Sequence, residues 1–97
     1  MNKFAPDELR ALADLFAERN ATYGESYRQH GFLMKALFPE GVTLKTAEDF
    51  ARFGVLNAIA GKLNRYSNNF KNGGHDDSLR DAAVYSIIQL DLDRNGL

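Results

Sequence analysis

The sequence predicts an all-α protein, a compact bundle of about four helices in a single domain that spans residues 1–97. Apolar residues recur at helical spacing in four segments, and clusters of glycine, proline and asparagine separate these segments. A chain of 97 residues is long enough for one hydrophobic core and too short for two. Small domains with few core residues often gain stability by self-association, which favours a homo-oligomer.

The first two helices are predicted over residues 6–20 and 25–38. Pro6 and the two carboxylates after it suit a helix start, because proline is tolerated in the first turn and acidic groups complement the positive end of the dipole. Gly24 tolerates the left-handed backbone that often ends a helix. Pro39 and the residues after it stop helix two.

The last two helices are predicted over residues 46–68 and 77–92. Thr46 followed by Asp49 resembles a capping box, with aspartate in place of the usual glutamate or glutamine. After a turn rich in glycine and asparagine, Asp76 or Asp77 is expected to cap helix four. That helix has almost no polar face beyond its first turn, which predicts a central helix covered on several sides. The tail after residue 92 is expected to fray.

Charge and composition exclude several classes of function. A formal net charge of -1 gives no overall attraction to a polyanion, so we expect no long nucleic acid as a partner. No apolar run approaches the roughly 20 residues that cross a bilayer, so we expect no membrane partner. The first residues lack an apolar signal core and cysteine is absent, which favours the cytoplasm. The sequence contains no P-loop, dinucleotide fingerprint, zinc-protease motif or nucleophile elbow.

Asp77, Asp81 and Tyr85 are four residues apart and therefore stack along one face of helix four. Two stacked carboxylates repel each other unless a positive group lies between them. A divalent cation such as Mg²⁺ is one solution, since hard cations prefer carboxylate oxygens. The other solution is that Asp77 caps the helix and Asp81 pairs with a basic residue of helix three.

Helix three carries Lys62, Arg65 and Tyr66 near its end, just before the Gly73-Gly74 turn. A short turn makes helices three and four antiparallel neighbours, so these cations should approach the first turns of helix four. Basic residues in a last turn also complement the helix dipole without any ligand. His75 follows the turn, and it is either an exposed loop residue, a phosphate contact or a general base.

A second polar and aromatic cluster surrounds the first interhelical turn, where Arg19, Asn20 and Tyr23 are followed by Tyr27 and Arg28. Tyrosine and arginine can stack on a nucleic acid base, and they equally form a helix corner or a subunit contact. A histidine in the middle of helix two, His30, is interpreted as structural.

These segments carry a resemblance to a known family. The sequence reads AERNATYG at residues 17–24, KLNRY at residues 62–66 and HDDSLRDAAVY at residues 75–85. It resembles the phage and prophage proteins called nucleotide-modification-associated domains, which are similar to the MazG-like all-α nucleotide pyrophosphohydrolases. The resemblance covers roughly residues 9–92. Its most specific part is Lys-x-x-Arg, a loop, and then Asp-Ser-x-x-Asp-x-Ala-x-Tyr.

The resemblance implies an α-helical core, usually assembled as an oligomer, and a site that binds a nucleotide phosphate through Mg²⁺. By position, Asp77 and Asp81 match the acidic pair on the later helix, and Lys62 and Arg65 face the phosphates. The pyrophosphohydrolases pair this acidic helix with a Glu-Glu-x-x-Glu helix. In the corresponding helix three, this chain has only Glu48 and Asp49, at the start of the helix.

Two functions follow as expectations, and a purely structural or assembly role is the third alternative. The first is a phage-type protein of the cytoplasm, the host's if phage-encoded, that binds or sequesters a nucleotide or nucleotide-derived signal, as phage-encoded sponges for host defence signals do. The second is a Mg²⁺-dependent, MazG-like nucleoside triphosphate pyrophosphohydrolase. The reduced acidic set suits binding better, whereas the family analogy favours hydrolysis, and a shared fold does not by itself transmit activity.

Overall fold

A computed structural model describes residues 2–24 and 26–97 of the chain; of Thr22 and Tyr23 it describes the backbone alone. The described residues form four α-helices and no strand, which confirms the all-α prediction. The helices are α1 (Phe4–Tyr23), α2 (Ser26–Leu37), α3 (Ala47–Asn68) and α4 (Asp76–Asn95), with a short 3₁₀ helix at Phe70–Asn72. In the described ranges, none of the helices combines the length and the apolar character that a membrane span requires.

The first helix is longer than predicted at both ends. Its start at Phe4 is two residues early because the Asn2 side chain accepts a hydrogen bond from the Phe4 N–H at 2.8 Å, which caps an otherwise unpaired donor. It ends at Tyr23, with Gly24 as its C-cap, rather than at Asn20. Gly24 has a φ of 63° and donates its N–H to the Asn20 carbonyl at 2.8 Å. The predicted start of the second helix, Glu25, lies outside the described residues.

The start of α3 confirms the predicted capping box. The Asp49 N–H donates to Thr46 Oγ1 at 3.0 Å, and the Thr46 N–H donates to Asp49 Oδ2 at 3.2 Å. The Lys45 N–H also donates to the Asp49 carboxylate, at 3.1 Å. These backbone donors, from Lys45 and then from Thr46, lower the pKa of Asp49. An aspartate therefore performs the task that glutamate usually performs in this motif.

The central helix is α3, and the prediction that helix four is central is wrong. Helix α3 packs against both α2 and α4, and buried small residues lie on both helices of the α3–α4 pair, Ala60 on α3 and Ala82 on α4. Ile87, on the far side of α4, is 68% exposed. Apolar residues on all sides of a helix indicate that other helices pack against it, but they do not show that these helices belong to the same chain.

A single chain is more extended than the compact bundle predicted. Its radius of gyration is 17.0 Å, whereas a compact chain of this length has about 13 Å. Among the described residues, α1 is exposed along almost its whole length and packs along no other helix. Its contact with the rest of the chain lies at its end, where the Phe16 and Tyr27 rings meet edge-on at 6.2 Å.

The end of the chain is held in place, so the expectation of a frayed tail is wrong. Helix α4 continues to Asn95, and Arg52 Nε on α3 lies 2.7 Å from Asp93 Oδ1. The Leu97 N–H donates to Glu48 Oε1 at 3.3 Å. These contacts join the end of α4 to the start of α3, a pairing of residues more than forty positions apart that local sequence cannot reveal.

Candidate functional site

The second half of α3 is attached to the start of α2 by a buried asparagine. Asn64 is buried, and its Nδ2 donates to the Ser26 carbonyl at 2.6 Å. Its own carbonyl accepts hydrogen bonds from the Ser67 hydroxyl at 2.7 Å and from Asn68 Nδ2 at 3.2 Å. Because buried polar groups need partners, this network holds the first turn of α2 at a defined position on α3.

Two adjoining cavities open at this junction, and together we call them the corner groove. The first, of about 180 Å³, is lined by Ser26, Tyr27, His30, Gly61, Asn64 and Arg65. The second, of about 160 Å³, is lined by Phe16, Arg19, Asn20, Gly24, Ser26 and Tyr27. Ser26 and Tyr27 line both cavities. The corner groove therefore brings Arg19 and Asn20, at the end of α1, close to Arg65 on α3, which the sequence had assigned to separate clusters.

Tyr27 is the aromatic residue that lines both cavities of the corner groove. Its side chain is 55% exposed, with the Phe16 ring edge-on to it. The Arg28 guanidinium carbon lies 5.5 Å from the Tyr27 ring centre, within the range of a cation–π contact. An exposed ring that is supported from one side by another ring can stack on a planar ligand such as a base.

His30 has the structural partner that the sequence did not reveal. Its Nε2 lies 2.6 Å from Asn57 Oδ1, and because an amide oxygen only accepts, Nε2 carries the proton in this contact. The ring also lies beside Gly61, where an added Cβ would be 3.8 Å from His30 Cε1. His30 therefore has a structural bond to α3 and lines the corner groove at the same time.

At the other side of α3, Lys62 reaches α4. Its Nζ lies 3.1 Å from Asp81 Oδ2, and the Lys62 side chain is partly buried. This contact confirms that the end of α3 approaches the first turns of α4. It also matches the interpretation in which Asp81 pairs with a basic residue of helix three. The positive group beside the stacked carboxylates is thus an ammonium of the chain itself.

The N-cap position of α4 is occupied by His75, which makes no side-chain cap hydrogen bond there, and not by Asp76 or Asp77 as predicted. His75 Nδ1 lies 2.6 Å from the hydroxyl of Ser78, which is buried, while Asp76 and Asp77 lie exposed in the first turn. Both carboxylates still complement the helix dipole from that turn. The serine of the Asp-Ser pair, which the sequence analysis did not single out, orients the histidine.

Tyr66 closes the turn between α3 and α4. Gly74 has a φ of 87°, and a Cβ added there would lie 2.7 Å from Tyr66 Cε2. The Tyr66 ring also packs edge-on against Phe70 at 6.3 Å. Tyr66 therefore has a structural role at the glycine turn, on the α4 side of α3 rather than in the corner groove. Tyr85, further along α4, is partly buried.

The donor set for Mg²⁺ is sparse. Across residues 2–24 and 26–97, no three histidine, aspartate or glutamate side chains lie together as metal ligands would. Of the two predicted ligands, Asp77 is exposed and Asp81 is bound to Lys62. These residues fit a resident Mg²⁺ poorly, since such a site needs several oxygen ligands. A magnesium site at Asp77 and Asp81 stays a prediction.

The predicted site residues thus separate into two groups around α3. Arg19, Asn20 and Arg65 line the corner groove, and the side chain of Tyr23 lies outside the described residues. Lys62, Tyr66, His75, Asp77, Asp81 and Tyr85 lie on the α4 side or on α4 itself. The sequence analysis missed Ser26 and Asn64. The sequence signal that could have identified Asn64 is its position on α3, four residues after Ala60 and therefore on the same face of the helix.

Comparison of the chain with models of protein families, with curated proteins and with solved structures found no match.

Proposed function

We propose that this protein binds a phosphate-bearing nucleotide, or a signal derived from one, in the corner groove. The observation that carries the proposal is that Arg19 lines one cavity and Arg65 the other, and that the exposed Tyr27 lines both. Guanidinium groups bind phosphate through paired hydrogen bonds, and an aromatic ring stacks on a base. A nucleotide has phosphates that the arginines can bind and a base on which the Tyr27 ring can stack.

The start of α2 supports the same ligand class. The first N–H groups of an α-helix have no partner within the helix, and they attract anions together with the helix dipole. Helix α2 begins at Ser26, which lines both cavities and is held by Asn64. A phosphate in the corner groove would therefore meet backbone donors that are already fixed in position, in addition to the two arginines.

Binding without cleavage is the part of the proposal that the donor set supports. Hydrolysis of a phosphoanhydride needs positive charge on the phosphates and an activated water, which MazG-like enzymes obtain through metal-binding carboxylates. In the described residues no three carboxylate or histidine side chains lie together as metal ligands would, and Asp81 is paired with Lys62. The alternative function, Mg²⁺-dependent pyrophosphohydrolysis, depends on Asp77 and Asp81 on the opposite side of α3.

The proposal includes the setting of the protein. We propose a homo-oligomer, because a single chain with a radius of gyration of 17.0 Å buries few apolar side chains, Ala60 and Ala82 among its described residues. We also propose the cytoplasm, that of the host if a phage encodes the chain, since this is where a sponge for nucleotide-derived defence signals would act.

The test is a binding and product assay on the full chain. Purified protein is titrated by calorimetry with nucleoside mono-, di- and triphosphates and with cyclic oligonucleotides, with and without Mg²⁺. Bound material is then released by denaturation and identified by chromatography. Recovery of intact ligand is the expected result. Release of pyrophosphate or monophosphate that disappears in Asp81→Ala would support the hydrolase instead, and the absence of binding to every ligand would overturn both functions.

Matched arginine variants locate the site. We expect Arg19→Gln and Arg65→Gln each to weaken binding at least tenfold, since each removes a charged hydrogen-bond donor from the corner groove. Arg10→Gln is the control, because Arg10 lies on α1 with an exposed carboxylate partner, Asp7, at 3.0 Å. Equal affinities of all three variants would place the ligand elsewhere. Far-UV circular dichroism confirms that each variant is folded.

A further inference from the structure

The chain exposes more surface than a compact protein of its mass. Its accessible surface is 7510 Å², whereas a compact monomer of 10.9 kDa exposes about 5,600 Å². The difference is roughly 1,900 Å² per chain. A standard stable interface buries about 800 Å² on each partner, so this excess is enough for a large, obligate interface.

Helix α1 contributes an apolar seam to this surface. Ala5, Leu9, Leu12 and Phe16 follow one another at intervals of four, three and four residues, which places them on one line along the helix, as in a coiled coil. All four are exposed, Leu9 by 67%. Most of the stability of a helix in a protein comes from packing of its apolar face, so α1 needs a partner along this seam.

Helix α4 offers an apolar surface that is somewhat shorter than the seam. Ala83, Val84, Ile87 and Leu90 are exposed and lie on its outer face. At about 100° per residue, Ile87 is on the opposite side of the helix from the buried Ser78, which packs towards α3. Charged residues, Arg80 and Arg94, lie near the two ends of this outer face. It has the pattern of an interface, apolar in the centre with a charged rim.

We propose that α1 of one copy packs with its seam along the outer face of α4 of a second copy. Both helices have 20 residues, or about 30 Å, so one can cover the other along its whole length. Because α1 depends on a partner for its stability, the partner must be present in equal amount whenever the chain is made. A second copy of the same chain always meets this condition. The net charge of -1 opposes such pairing only weakly.

The pairing is an exchange of helices between copies. Each chain donates its α1 to one copy and accepts the α1 of a copy on its own α4. In a closed ring or a reciprocal dimer, every seam is therefore covered by the α4 of another copy. The donated helix ends at the corner groove, where Phe16 contacts Tyr27. This pairing of helices does not depend on the proposed ligand. It is tested in the absence of any nucleotide. Failure of one proposal is therefore distinguishable from failure of the other.

The first measurement is molar mass by light scattering during size-exclusion chromatography, at micromolar concentration. The unmodified chain is expected to be an oligomer. Leu12→Glu in the seam and Ile87→Glu on the outer face of α4 should each shift the mass to a smaller species. Ala17→Glu adds the same charge off the seam, about 100° around α1 from Phe16, and should leave the mass unchanged. A monomeric unmodified chain would overturn the proposal.

Crosslinking decides which surfaces meet, even if a glutamate variant fails to fold. The chain has no cysteine, so single cysteines can be introduced at chosen positions. Leu12→Cys protein is mixed with Ile87→Cys protein, unfolded and refolded together to exchange subunits, and treated with a short bis-maleimide. We expect a crosslink between the two different chains, and a much weaker one when Ala17→Cys replaces Leu12→Cys. Crosslinking of Leu12→Cys to itself but not to Ile87→Cys would overturn the proposal.

Discussion

The ammonium nitrogen of Lys62 on α3 lies 3.1 Å from Oδ2 of Asp81 on α4. This ion pair joins the two helices near the glycine turn, and the contact of Arg52 with Asp93 at 2.7 Å joins them near their other ends. The two pairs link the antiparallel helices α3 and α4 near both ends. They also determine what Lys62 and Asp81 can do chemically, because each already has a partner of opposite charge.

Removal of the Asp81 charge is expected to lower the free energy of unfolding by up to about 1 kcal/mol. The Lys62 side chain is only 22% exposed, so Asp81→Asn leaves a partly buried ammonium without its carboxylate. The measurement is urea unfolding followed by circular dichroism. Asp7→Asn is the control, since the Asp7–Arg10 pair is far more exposed. A loss in the control as large as that in Asp81→Asn would contradict the assignment.

Removal of the Asn64 side chain is expected to cost about 1–3 kcal/mol, because it leaves a carbonyl at the start of α2 without its partner. Asn64 Nδ2 donates to that carbonyl, of Ser26, at 2.6 Å in a buried position. The test compares Asn64→Ala with Asn72→Ala, an exposed position in the 3₁₀ helix. Equal midpoints of urea unfolding for the two variants would show that the bond contributes little.

The two glycines of the turn before α4 differ in their surroundings, and alanine should distinguish them. Both have positive φ, 93° at Gly73 and 87° at Gly74, so each alanine costs about 1–2 kcal/mol of backbone strain. At Gly74 the added Cβ also meets the Tyr66 ring, whereas Gly73 has open space. Gly74→Ala should therefore be the more destabilising variant in thermal unfolding. The reverse order would mean that Tyr66 is not packed there.

The carboxylate of Asp49 makes stability depend on pH. Backbone N–H groups of Lys45 and Thr46 lower its pKa in the folded chain. Its contribution is therefore fully present above the unfolded-state value of about 3.9 and is lost as the pH falls through the lower folded-state pKa. Asp49→Asn should thus be less stable than the unmodified chain near neutral pH, and this difference should shrink in acid.

The control for this pH dependence is the other half of the capping box. Thr46→Ala removes a hydroxyl that does not titrate, and loss of such a cap costs about 1 kcal/mol. Its effect on the free energy of unfolding should be similar near neutral pH and in acid. A difference for Asp49→Asn that stays constant across the same range would contradict the role of the charged form.

Several features of the fold could be predicted because they depend on residues that are close in sequence. The capping box joins Thr46 to Asp49, which are only three residues apart. The approach of Lys62 to Asp81 follows from two helices that are joined by a short turn. The position of His75 as the N-cap residue of α4 could not be predicted. It depends on which side chain of the first turn is buried, and local sequence does not reveal that this is Ser78 rather than a carboxylate. The bond from His30 to Asn57 spans a loop and two helices.

The sequence by itself determined the four helices, the turns between them and the antiparallel pairing of α3 with α4, because spacing and capping act over a few residues. Tertiary structure alone decided that Arg65 faces Tyr27 and His30 in the corner groove while Lys62 faces Asp81. It also decided that α3 is central and that Ile87 is exposed. The physical reason is that helical periodicity identifies an apolar face but carries no information about which surface covers it.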